Sequence, residues 1–198
     1  MSTNVFPVLG KVSKSDKERL LKQRGMAIWM VGLSGSGKTT LARGLEECLN
    51  NQGYLTQMLD GDNLRSGINK DIGFSEEGRT ENLRRAAEVA KLFVQCGVIT
   101  ICSFISPTKQ SRNMVKDIIG ENDFYEVFVN CSVAECEKRD TKGLYKKARK
   151  GEIADFTGIS SPFEEPQSPF LKINSNEKDV SACISDLIKA FDKKIKLF

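Results

Sequence analysis

Hydrophobic positions along this chain fall into two rhythms, short unbroken apolar runs and longer stretches with a helical repeat. Met26–Val31 is a near-continuous apolar run, the mark of a strand covered on both faces. Residues 38–51 then read as a helix, and Tyr54–Leu59 as a second strand ending in Asp60-Gly61-Asp62. Residues 77–96 place Leu83, Ala86, Ala87, Ala90, Phe93 and Val94 on one side of a helix. Val98–Phe104 reads as a third strand, residues 108–119 as a helix, Phe124–Val129 as a fourth strand and Val133–Arg139 as a further helical stretch. Periodicity breaks over 140–168, which carries Gly143, Gly151, Gly158, Pro162 and Pro166. Phe170–Ile173 is a short fifth strand and residues 177–196 a closing helix. Residues 1–24 form a polar lead-in, with a short helix capped near Ser15 before Asp16-Lys17-Glu18-Arg19.

Strands alternating with helices predict the α/β class: three layers, with a mainly five-stranded parallel sheet between two layers of helices. Ligands of such sheets gather at the carboxyl ends of the strands. The loop after the first strand, the Asp60-Gly61-Asp62 turn and the Ser103-Phe104-Ile105-Ser106-Pro107 turn all lie at such ends, so the three are expected to face one cleft. The 198 residues, 39% hydrophobic and 28% charged, suit one domain spanning 1–198.

The first of those loops is a complete phosphate-binding pattern, Gly32-Leu33-Ser34-Gly35-Ser36-Gly37-Lys38-Thr39, in the strand–loop–helix context its chemistry demands. Glycines let the backbone wrap so that several N–H groups converge on phosphate oxygens, and the following helix adds its positive end. Lys38 would reach the β- and γ-phosphates of a nucleotide and the Thr39 hydroxyl would ligate Mg²⁺.

Composition narrows the chemistry further. There is no histidine, so acid–base work falls to Asp, Glu, Lys, Tyr or Cys. The six cysteines form no C-x-x-C pair and sit mostly in apolar runs, which fits a reducing cytoplasm better than a zinc or secreted disulfide protein. The opening Met1-Ser2-Thr3-Asn4 lacks the basic and apolar regions of a signal peptide, and no apolar run approaches the ~18 residues of a membrane span. The net charge of +4 is modest, and acidic residues are spread throughout. The basic stretch Lys138, Arg139, Lys142, Lys146, Lys147, Arg149 and Lys150, interleaved with Gly143 and Tyr145, therefore reads as a lid closing over phosphates rather than a nucleic-acid patch.

Two further clusters suggest an acceptor site. Asp60 and Asp62 flank a glycine opposite the phosphate loop, and Asp62 could orient and deprotonate an attacking hydroxyl or bind Mg²⁺ through water. Arg65, Arg79, Arg84 and Arg85, with Asn82 and Phe74, could hold an anionic aromatic substrate by forked hydrogen bonds and stacking. Arg84 and Arg85 diverge by about 100° on a helix, so both cannot face the same ligand.

With these residues in place, the chain resembles the adenylylsulfate kinase (APS kinase) family of P-loop kinases. The matching segments are Gly32–Thr40, Leu59–Arg65, Asn69–Ser75, Arg79–Arg85, Phe104–Pro107, Arg139–Arg149 and Phe156–Ile159, in the family's order and across nearly the whole chain. The resemblance implies transfer of the γ-phosphoryl group of ATP to the 3′-hydroxyl of adenosine 5′-phosphosulfate, giving 3′-phosphoadenosine 5′-phosphosulfate and ADP. Carried over by position, Gly32, Leu33, Ser34, Gly35, Ser36, Gly37, Lys38, Thr39 and Thr40 bind ATP, with Arg139 near its base. Asp62 is the base toward the ribose. Arg65, Arg79, Asn82 and Ile105 serve the phosphosulfate side, Phe74 and Phe156 sandwich its adenine, and Lys142 closes from the lid. Ser106 matches the family's phosphoserine position. Phosphoryl transfer needs alignment and charge neutralisation rather than a covalent relay, so Ser106 is expected to contact substrate through its loop. The resemblance also implies a homodimer and a functional link to ATP sulfurylase. The chain departs from the family at Ser66, at Phe163 and in the Val5-Phe6-Pro7 region, which leaves open what the amino-terminal segment gives to a substrate lid or to dimer contacts.

The alternatives are weaker. A regulatory GTPase needs Asp-x-x-Gly after the third strand and Asn-Lys-x-Asp later. Asn69-Lys70-Asp71-Ile72 misses that spacing, and Asp155-Phe156-Thr157-Gly158 comes too late. A gluconate- or nucleotide-type kinase leaves the Phe74, Arg79, Asn82 and Phe156 set unexplained, and an RNA-binding P-loop protein would rest on the basic stretch alone.

Overall fold

The computed structural model describes Phe6, Val8 and Gly10–Leu197. Met1–Val5 and Pro7 lie outside the described residues, and with them most of the segment expected to differ from the family at Val5-Phe6-Pro7. In chain order the elements are α1 (Lys14–Leu21), β1 (Met26–Val31), α2 (Lys38–Asn51), β2 (Thr56–Asp60), α3 (Gly61–Ser66), α4 (Glu76–Gln95), β3 (Ile99–Ser103), α5 (Lys109–Ile119), β4 (Phe124–Asn130), α6 (Val133–Arg139), α7 (Leu144–Arg149), β5 (Leu171–Asn174) and α8 (Val180–Ile195).

The five strands form one parallel sheet in the order β2-β3-β1-β4-β5. Its middle strand shows why the sequence folds this way. Met26, Ile28 and Met30 point into a core closed by α2 and α8, through Leu41, Leu45, Leu49, Leu187 and Phe191. Ala27, Trp29 and Val31 point into a second core closed by α4 and α5, through Leu83, Ala87, Val94, Val115 and Ile119. A strand covered on both faces cannot alternate apolar with polar, hence the unbroken run. A third, smaller core gathers Tyr145, Ala148 and Phe156 against Leu33, Cys131 and Cys136, and seats the basic segment beside the phosphate loop.

Register places the site. Asp60 pairs with Ser103 and Ser103 with Met30, so the carboxyl ends of β2, β3 and β1 lie level. The order reverses around β1, where a crevice opens in sheets of this kind.

Three expectations need correction. The first helix is capped by Ser13, not Ser15. Ser13 Oγ accepts from Asp16 N at 3.2 Å while the Asp16 carboxylate accepts from Ser13 N at 2.9 Å, a reciprocal pair that fixes the earlier start. The Asp60-Gly61-Asp62 turn is the opening of α3, with Asp60 as its cap. The stretch 140–168 is not wholly irregular: it contains α7, whose six residues bury only Tyr145 and Ala148 and so show no repeat. Met26–Val31, 38–51 and Val133–Arg139 stand as expected, and the remaining boundaries shift by no more than three residues at strand and helix ends, where fraying blurs any pattern.

Candidate active site

The phosphate loop wraps from β1 into α2. Gly32 sits at φ 151°, where a Cβ would come 2.5 Å from the Val129 carbonyl oxygen. Gly35, at φ 75°, would bring one to 3.0 Å from the Cys136 carbonyl, so these two positions exclude a side chain on space as well as on backbone angle. Gly37 caps α2, leaving that helix's first N–H groups without a side-chain partner. Thr40 is exposed in the first turn of α2. The Lys38 ammonium is buried and donates to the carbonyls of Gly32 at 2.9 Å and Leu33 at 2.7 Å. That burial pushes its pKa down from 10.5 to about 8.

The loop is braced on both flanks. The Tyr145 hydroxyl donates to the Ser34 carbonyl at 2.9 Å. Ser175 Oγ donates to the Ser36 carbonyl at 2.7 Å, and Arg139 Nη2 donates to the Ser175 carbonyl at 2.8 Å, with Arg139 Nε on Glu135 at 3.1 Å. Arg139 thus lies beside Gly37 at the loop's edge.

Across the crevice the two carboxylates of the Asp-Gly-Asp turn are separated in kind. Asp60 is nearly buried and accepts from Thr39 Oγ1 and from Asp62 N, both at 3.0 Å, and Thr39 Oγ1 also meets Ser103 Oγ at 3.3 Å. Asp62 is 71% exposed and forms an ion pair with Lys142 from the segment before α7. Sequence reading singled out Asp62 and passed over Asp60 and Ser103. Their shared position at strand ends was the available signal.

Arg65 and Arg79 shape the next surface. Arg65 Nη1 donates to the carbonyls of Ile72 at 3.0 Å and Gly73 at 2.9 Å, and its guanidinium carbon lies 4.3 Å from the centre of the Phe74 ring. Arg79 donates through Nε to the Phe74 carbonyl at 2.8 Å and through Nη1 to the Asp155 carbonyl at 2.7 Å, tying the Phe74 loop to the residue before Phe156. Phe74 is 69% exposed, an unusual place for a large aromatic ring, whereas Phe156 is buried edge-on against Tyr145. Asn82 is buried, its side-chain oxygen taking a 3.0 Å hydrogen bond from Asn69. Arg84 and Arg85 drop out of the proposed cluster. Arg84 pairs with Glu81, and Arg85 grips Asp71 through both terminal nitrogens, so both are spent on the protein itself.

The Ser103–Pro107 loop closes the remaining side. The Ile105 carbonyl accepts from Gly32 N at 3.3 Å and Phe104 packs on Gly61. Ser106, buried at φ 45°, accepts on its hydroxyl from Trp29 Nε1 at 2.9 Å. That engagement fits a part in holding the loop.

An α/β/α fold carrying this loop opposite a carboxylate-bearing turn defines a nucleotide-dependent phosphotransferase of the P-loop kinase class. The family profile described as adenylylsulphate kinase matches residues 24–174. An adenylyl-sulfate kinase of Bacteroides fragilis is 51% identical over 189 residues, 95% of this chain and 94% of that protein. A probable adenylyl-sulfate kinase of Bacillus subtilis is 48% identical over 184 residues, covering 93% of each. The solved Mycobacterium tuberculosis APS kinase CysC, in complex with AMPPNP and APS, superposes with a TM-score of 0.82 at 42% identity, over 85% of this chain and 98% of that one. The chain belongs to the adenylylsulphate kinase family.

Proposed function

We propose that this protein transfers the γ-phosphoryl group of ATP to the 3′-hydroxyl of adenosine 5′-phosphosulfate. One observation carries the reading: a phosphate loop and an exposed carboxylate, Asp62, face each other beside a surface made of two arginines and an exposed phenylalanine. An anionic nucleotide acceptor suits that surface, whereas gluconate offers no ring for Phe74.

ATP would lie along the loop, with Lys38 turning from the Gly32 and Leu33 carbonyls to the β- and γ-phosphates. Arg65 and Arg79, now donating to main-chain carbonyls, would redirect those donors to the phosphosulfate while Phe74 stacks on adenine. The ribose 3′-oxygen then attacks the γ-phosphorus, the bond from phosphorus to the β,γ-bridging oxygen breaks, and the ribose proton passes to Asp62. Lys142, paired with Asp62 before substrate arrives, would follow the transferring phosphoryl group and offset its charge.

The residues suit Mg²⁺. Thr39 Oγ1 and the Asp60 carboxylate lie 3.0 Å apart at the end of the phosphate loop and would offer it oxygen ligands. Mg²⁺ bound there would neutralise charge on the β- and γ-oxygens.

The same reading makes residues 140–168 a lid on a single domain and the protein a cytoplasmic homodimer fed by ATP sulfurylase. The six free cysteines support a reducing compartment, and among the described residues no helix is long and apolar enough to cross a membrane. The basic stretch is largely paired, Arg139 with Glu135 and Arg149 with Glu137, which speaks against a continuous nucleic-acid surface. The test is ADP release with adenosine 5′-phosphosulfate, AMP and gluconate as competing acceptors. Turnover confined to the phosphosulfate is expected, and preference for either other acceptor overturns the assignment.

A further inference from the structure

A buried ion pair behind the crevice has no part in the transfer just described. Arg112, on the buried stripe of α5 with Val115 and Ile119, pairs through Nε with Glu126 of β4 at 3.1 Å, with side-chain exposures of 7% and 17%. Burial lowers the pKa of Arg112 and raises that of Glu126, so both charges are held against a desolvation cost. Such a pair adds little stability, and its geometry shows another use. Arg112 Nη1 donates to the Ser106 carbonyl at 3.1 Å. Ser106 is a non-glycine residue in the left-handed region, a conformation that persists only when its surroundings impose it. Trp29 holds the same residue from the other side through Oγ, and is itself stacked on Phe104 at 4.7 Å. The turn thus fixed belongs to a loop that meets both the phosphate loop and the carboxylate-bearing turn: Ser103 meets Thr39, Phe104 packs on Gly61, and Ile105 accepts from Gly32.

We propose that Arg112, oriented by Glu126, is a positioning residue for the acceptor nucleotide: by locking the Ser106 turn it holds the Ile105–Ser106 wall in register with the phosphate loop. The proposal rests on the functional reading above. Arg112 touches no reacting atom. Its guanidinium fork is what allows one side chain to hold Glu126 and the Ser106 carbonyl at once, which a lysine ammonium on its single stem does less well.

The test is the double variant Arg112→Met/Glu126→Gln, which removes both charges and so leaves none stranded, together with Arg112→Lys, which keeps the charge and gives up the fork. Both are expected to retain the parent's affinity for an ATP analogue. Both should raise KM for adenosine 5′-phosphosulfate about tenfold or more, the scale of a small misplacement of a substrate wall. Trp29 is the sole tryptophan and reports on the turn directly; its emission should shift to the red in both variants as the loop loosens. A folded variant with the parent's KM for the phosphosulfate, or one that loses ATP and acceptor affinity equally, overturns the positioning role. Unchanged Trp29 emission overturns the clamp whatever the acceptor is. Absence of phosphosulfate turnover in the unaltered protein instead refutes the functional reading alone.

Discussion

Thr39 gives its hydroxyl hydrogen to Asp60 rather than to Asp62, two residues further on, and the 3.0 Å bond sets apart two carboxylates that the sequence presents as a pair. Asp60 faces Thr39 at the end of the phosphate loop, while Asp62 stands in the open, paired with Lys142. Asp60→Asn replaces a charged acceptor by a neutral one beside Thr39, a loss of about 1.5–3 kcal/mol. It is therefore expected to weaken Mg²⁺–AMPPNP binding by about 10- to 100-fold and to lower turnover with it. Asp62→Asn should leave nucleotide affinity near that of the parent and reduce kcat roughly 10²-fold or more, the range of general-base loss. Calorimetric titration beside steady-state rates separates the two, and interchanged phenotypes would reverse the assignment.

The same pair shows what a sequence can and cannot convey. The phosphate loop was legible to the residue because its glycines and lysine act through backbone geometry fixed over eight positions. The central strand was legible because burial on both faces leaves an unbroken apolar run, Met26–Val31. The split between Asp60 and Asp62 was not, since it depends on one helical turn starting at Gly61 and on the register of β2 against β3. Short α7 escaped for want of a repeat. Arg84 and Arg85 were misjudged because their partners, Glu81 and Asp71, lie one turn and one loop away, and the charge count alone does not tell a ligand site from an internal pair. Arg112 and Glu126 left a trace that went unread: a charge within a buried helical stripe and another inside the strand Phe124–Asn130.

Lys38 supplies a pH signature. Burial sets its folded pKa near 8, below the 10.5 of the unfolded chain. The folded protein therefore binds fewer protons between those values, and this group makes the ligand-free fold more stable, not less, as pH rises through that window. A bound triphosphate adds negative charge and raises the pKa again. Nucleotide binding at about pH 9 should then take up a proton, with affinity falling toward tenfold per pH unit above 8. Calorimetry in two buffers of different ionisation enthalpy measures the uptake, and Lys38→Met should abolish it along with activity.

Lys142 and Asp62 form an exposed pair, 61% and 71% accessible, and exposed pairs contribute about 0–1 kcal/mol. Lys142→Met is accordingly expected to leave the thermal midpoint within about 4 °C while lowering kcat by about 10²-fold, the scale of losing one charge aimed at the transition state. A large drop in Tm with kcat intact would show the pair to be a structural strut.

Tyr145 ties α7 to the phosphate loop. Its ring is buried against Phe156, and its hydroxyl donates to the Ser34 carbonyl at 2.9 Å. Burial in this small core pushes the phenol's pKa well above its ordinary value, so the donor keeps its proton across any working pH. Tyr145→Phe preserves the packing and deletes only that donor. The Ser34 carbonyl, left without this partner, should cost about 1–3 kcal/mol, spread between the fold and the loop's readiness for phosphate. Two measurements distinguish the shares: chemical denaturation reads the loss in the ligand-free protein, and AMPPNP titration reads the loss on binding. If the bond serves the loop, ATP affinity falls, and the same concentration of nucleotide raises Tm less in Tyr145→Phe than in the parent. If Tyr145→Phe matches the parent in both measurements, α7 and the phosphate loop are not coupled through this hydroxyl.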